Sequence, residues 1–180
     1  MIKAEEQPSS SETTQKINNL KISFISILET ILEYTASLEN KKPSVFDNNS
    51  KNNVEKDFKF NPKVNIDQYD FEDFFKFCLK KFKFDDDLLV LIMMNIDKII
   101  SNDNFALTYQ NVNRLFYTSL MITQKYYEDN GYNNKIYADL VGITCDELLD
   151  MEMEYMNLVD YHLFIKDDEF IKYKQKMIEL

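Results

Sequence analysis

The chain has 180 residues, 44% hydrophobic and 14% aromatic, enough for one packed domain burying roughly 70% of its surface without disulfides or metal. Lys and Arg total 21 against 31 Asp and Glu, and a formal charge of −10 argues against binding a phosphate backbone. Two glycines, Gly131 and Gly142, exclude Gly-rich phosphate loops, and with a single histidine, His162, Ser-His-Asp, Cys-His and His-rich metal arrangements are all hard to assemble.

Residues 1–12 are polar and read as a flexible N-terminus without a leader pattern. From about Thr14 to Leu38, Ile17, Leu20, Phe24, Ile27, Ile31, Tyr34 and Leu38 recur at heptad spacing. Ile25, Leu28 and Leu32 widen that face, so this helix (13–39) is expected to pack on the domain rather than form a free coiled coil. Residues 40–66, Asn- and Lys-rich with Pro43 and Pro62, read as a linker. The chain then runs from Asp70 to Leu180 without proline, which permits helix throughout.

Phe71, Phe74, Phe75, Cys78 and Phe82 keep helical spacing. Asp85-Asp86-Asp87 lacks the alternating ligands, turn glycine and later glutamate of a calcium loop; it reads as acids opening a helix over Leu88–Ile100. That helix is apolar almost all round and is expected to be buried, but it is far too short to cross a bilayer. Thr108 is the expected N-cap of a helix ending near Tyr127, and a short helix over Asn134–Val141 stops at Gly142. Thr144 and Glu147 form a capping box for a helix to about Asp160, and Asp167 starts a last one. Cys78 and Cys145 both fall in apolar helical patterns and read as packed, reduced thiols. The expected fold is all-α: five core helices with one helix on each flank.

From Leu88 onward the chain resembles a cyclin box, specifically that of the phosphate-regulon (P/U-type) cyclins. Asn95-Ile96-Asp97-Lys98 is similar to that family's Tyr-Ile-Asp-Arg, and Leu107-Thr108 with Asn111-Val112-Asn113-Arg114 to its Leu-Thr and Asn-Val-His-Arg. Thr123-Gln124-Lys125-Tyr126 before Glu128-Asp129 is similar to its Ala-Ala-Lys-Phe followed by acids. Tyr132-Asn133-Asn134, Tyr137-Ala138, Gly142-Ile143-Thr144, Glu147-Leu148, Met151-Glu152, Asp160-Tyr161 and Glu169-Phe170 follow in the family's order. The box spans 67–162 and a C-terminal helix 163–180. Asn95, Lys98 and Asn113 depart from the pattern. So does the first box helix: counting back from Asp97 to the family's basic partner lands on Phe77, with Lys76 and Lys80 nearby.

The resemblance implies a regulatory subunit, not an enzyme, that needs no cofactor or metal. Its partner would be a cyclin-dependent kinase, docked through the small-lobe helix whose glutamate pairs the ATP-gripping lysine. Binding only the helix-in state would shift the kinase toward activity. The family's two kinase-binding charges map onto Lys125 and Glu152. Without the resemblance, Lys125 is simply a lysine solvated over an apolar stem, and Glu152 a carboxylate bordering an apolar face. Asp97 and Arg114, the chain's single arginine, read as internal structural charges; an Asp97–Arg114 contact is one candidate pairing, and the sequence leaves the partner of Asp97 open. The Met-Arg-Ala-Ile-Leu substrate-docking segment of some cyclins is absent from the sequence. The expected protein is intracellular and monomeric when free, without nucleic-acid or membrane partners. A rival reading is a helical scaffold dimerising through Ile17–Leu38.

Overall fold

The computed structural model describes residues 10–36, 46, 66–67, 69–82, 85–101, 105–129 and 131–179, with side chains in the first helix from 19 to 35. Every regular element among them is a helix, and no strand occurs among the described residues. The order is α1 (Ser10–Ala36), α2 (Phe71–Phe82), α3 (Asp86–Ile100), α4 (Val112–Tyr127), α5 (Asn134–Val141), α6 (Cys145–Leu158) and α7 (Asp167–Glu179). α1 begins at Ser10, earlier than expected, while Leu38 and nearly all of the expected linker lie outside the described residues.

Local chemistry sets most of the boundaries. The Asp85 carboxylate accepts the Leu88 N–H at 2.8 Å, so the acidic triplet opens α3. Asn133 caps α5 through the Ile136 N–H, and Gly142 ends it at φ 72°, a conformation that only glycine enters cheaply. Thr144 and Glu147 cap α6 reciprocally. α6 stops at Leu158, two residues short of expectation, because Asp160 and Tyr161 both turn left-handed at φ 51° and 56°. α4 starts at Val112, not just after Thr108. The Asn111 carboxamide is used on the Thr108 N–H and the Ala106 carbonyl, which folds 108–111 into a turn ahead of the helix. Cys78 is buried as expected, but Cys145 is exposed, since as the first residue of α6 it lies off that helix's apolar face.

α4 is the axle of the bundle. Every residue from Val112 to Gln124 is buried, and α2, α3 and α6 pack around it. An aromatic cluster closes the α2 side: Phe24 stacks on Phe75 at 5.1 Å between ring centroids and meets Phe116 edge-on at 5.6 Å. The buried stripe of α1 is Leu20, Phe24, Leu28 and Leu32, spaced four apart, so its wide face is spent on α3, α7 and this cluster. Ile22 and Tyr34 are left outward.

Asn95 is fully buried in α3, and neither atom of its carboxamide has a hydrogen-bond partner. A buried, unpartnered amide costs about 1–3 kcal/mol. Asn95→Leu keeps the branching at Cγ and removes the polar atoms. It should raise the free energy of unfolding by about 1 kcal/mol in urea denaturation; a loss instead would mean that methyl crowding outweighs the desolvation relieved.

Candidate functional site

Three helices converge at one end of α4. Lys125, in the last turn of α4, donates from Nζ to Glu152 Oε1 of α6 at 2.8 Å and to Asn134 Oδ1 at the start of α5. Asn134 Nδ2 in turn donates to Glu152 Oε2 at 3.1 Å. The three side chains form a closed ring of hydrogen bonds. Only 26% of the Lys125 side chain and 23% of that of Glu152 remain exposed. The Lys125 ammonium also sits 5.8 Å from the Tyr137 ring centroid, within cation–π range. Burial pushes the Tyr137 phenol up to about 12, so it stays neutral there and donates to Gln124 Oε1 at 3.2 Å.

The chemistry left over is specific. An ammonium has three donors and a carboxylate about four acceptor positions. The ring uses two of the former and two of the latter, leaving a donor and outward lone pairs on one small patch. Leu149, a turn before Glu152 on α6, is exposed beside it, and Met153, a turn beyond Leu149, continues the exposed apolar stripe. Such a patch fits an uncharged polar partner, such as main-chain N–H and C=O groups, rimmed by apolar contact. Among the described residues no cluster of His, Cys, Asp and Glu could hold a metal ion, and no helix is long and apolar enough to cross a membrane.

Asp97 and Arg114 do not meet. Arg114 grips Asp67 in two parallel bonds, Nε to Oδ1 and Nη2 to Oδ2, each 2.7 Å, with Glu147 Oε1 a further 3.8 Å from Nη2. Burial works against the guanidinium's charge, but Asp67 outweighs it and the pKa is raised. Asp97 instead accepts from the Tyr173 hydroxyl of α7. Burial raises the Asp97 carboxyl against the opposing pull of that bond. Neither α2 lysine bracketing Phe77 takes the family's place: Lys76 pairs within its own helix with Glu72 at 2.6 Å. In place of the candidate Asp97–Arg114 contact there are two separate ties, one from Arg114 to the segment entering α2 and one from Asp97 to the C-terminal helix. Asn134, which the sequence shows only as part of the Tyr132-Asn133-Asn134 motif, is the site residue that sequence reasoning missed.

An all-helical bundle with a polar pair at the end of a buried central helix is what these elements define. The family model described as Cyclin matches residues 3–163, and the chain belongs to the cyclin family. It is 32% identical over 85 residues to Cyclin-U2-1 of Arabidopsis thaliana, covering 47% of this chain and 38% of that protein. It is 27% identical over 78 residues to Cyclin-P2-1 of Oryza sativa subsp. japonica (43% and 36% covered). With PHO85 cyclin-7 of Saccharomyces cerevisiae the figure is 33% over 69 residues (38% and 24% covered). The chain thus spans well under half the length of these curated relatives. They are of the phosphate-regulon type that the motifs resemble.

Proposed function

We propose that this cyclin is the regulatory subunit of a cyclin-dependent kinase, docking on the kinase's small-lobe helix through the face built on Lys125 and Glu152. The observation that carries the reading is their meeting: two residues 27 apart in sequence, on different helices, form one polar patch at 2.8 Å. Among the relatives, those named as PHO85 cyclins point the same way and suggest a kinase of that kind as the partner. No group of this chain takes part in phosphoryl transfer. The kinase supplies the phosphate-gripping lysine, the metal and the base, and the cyclin favours the helix position in which they align.

Charged side chains suit the task because bonds to ionised groups are the stronger kind, and because main-chain groups of the partner need replacements for the water they lose. Lys125→Ala and Glu152→Ala should each weaken kinase binding about tenfold or more, about 1.4 kcal/mol, in titration calorimetry with a kinase recovered from the native cell. The pair is partly solvated, so its loss should cost the free chain no more than about 1 kcal/mol of stability. Equal losses of binding and of melting temperature would reduce both residues to structural roles.

A further inference from the structure

We propose that Asn134 is a positioning residue of the docking face, holding Lys125 and Glu152 in a single arrangement before a partner arrives. The inference rests on the docking reading and deepens it.

Asn134 is the first residue of α5, but it does not cap that helix: the Asn133 carboxylamide side chain accepts the Ile136 N–H. Its own carboxamide is turned the other way. Oδ1 receives the Lys125 ammonium and Nδ2 reaches Glu152 Oε2. An amide is the side chain that can do both from one terminal group, being acceptor and donor side by side. Without it, a lysine and a glutamate with several rotatable bonds each would be joined by one ion pair, a weak restraint at a partly solvated site. With it, each end of the carboxylate is fixed by a different helix, and the unused lone pairs point where the ring's geometry sends them. Freezing such side chains on binding is costly, and a ring already closed removes most of that cost. The ring also cancels the two charges internally, so a partner need not bring a counter-charge. The tie also joins α5 to α6, two helices already in contact, at that face.

The test uses the full chain and two substitutions. Asn134→Ala opens the ring. Asn134→Asp keeps the acceptor for Lys125 but sets a second carboxylate against Glu152. In the free protein, 15N-detected NMR of the Lys125 ammonium should show a slowly exchanging signal that persists in the aspartate variant and is lost in the alanine variant. Affinity for the kinase that binds the wild-type chain should fall about tenfold in Asn134→Ala, with melting temperature within a few degrees of wild type. In a Glu152→Ala background the same substitution should have almost no further effect, the mark of residues acting as a unit. A wild-type ammonium signal in Asn134→Ala, or a kinase affinity unchanged by it while Glu152→Ala weakens binding, overturns the positioning role alone. Should Glu152→Ala itself bind the kinase normally, the docking reading falls, and the positioning role with it.

Discussion

Arg114→Ala should remove about 3 kcal/mol from the free energy of unfolding, a larger loss than any substitution in the Lys125–Glu152 pair. The guanidinium is nearly enclosed, with 9% of its side chain exposed against 18% for Asp67, and both of its bonds to that carboxylate are short and parallel. Truncation removes the two parallel charge-assisted bonds from a largely buried carboxylate, and breaking such a buried pair is costly. The residual solvent contact of Asp67 places the loss toward the lower end of the usual range. Arg114→Lys should recover little, since one ammonium cannot reproduce two parallel bonds. Denaturant titration of the three proteins checks this, and a loss below about 1 kcal/mol for the alanine variant would show that the pair is dispensable.

Phe24→Ala is the second large effect, an expected loss of about 3–5 kcal/mol. Phe24 is wholly buried in the ring cluster, against Phe71, Phe75 and Phe116, so truncation opens a cavity between α1 and the box rather than a dent at the surface. Stacked and edge-on rings add a contribution beyond buried area. α1 is also held by Thr35, whose hydroxyl donates to the Leu107 carbonyl, and by its packing on α7. Thermal melting followed by far-UV circular dichroism should therefore show a lower melting temperature with helicity at low temperature largely kept. Limited proteolysis should cleave α1 in the variant before the box is attacked. Wild-type resistance of α1 would mean that the other contacts suffice to hold it.

The sequence states its local instructions openly and its tertiary ones hardly at all. Asn133, Gly142, Thr144 and Glu147 act within three or four residues of themselves, and the bounds of α5 and the start of α6 follow from them. Thr108 misled because a threonine before an apolar run looks like a cap, while the competing use of the Asn111 side chain depends on how the loop folds back. The partners of Arg114, Asp97 and Asn134 lie 47, 76 and 9 to 18 residues away. Helical periodicity says which face a residue occupies, not what another segment brings to it. Asp67 stood at the edge of a presumed linker and Tyr173 on a helix read only for its apolar spacing, so neither was visible as a partner. Lys125 and Glu152 were reached through family resemblance, and their meeting is a property of the packed bundle.

The interior of α4 is addressed as well as greasy. Asn113 donates to the Ile66 and Tyr69 carbonyls, the Tyr117 hydroxyl donates to the Tyr137 carbonyl, Ser119 meets the Tyr155 hydroxyl, and Gln124 receives that of Tyr137. An oily rod could roll or slide against its neighbours at modest cost, but one carrying these directional bonds on several sides cannot turn without breaking most of them at once. Lys125 is the residue immediately after the last of these anchors. Its aim is thus dictated from inside the protein, and substitutions among the buried anchors of α4 can shift Lys125 without touching a single exposed atom.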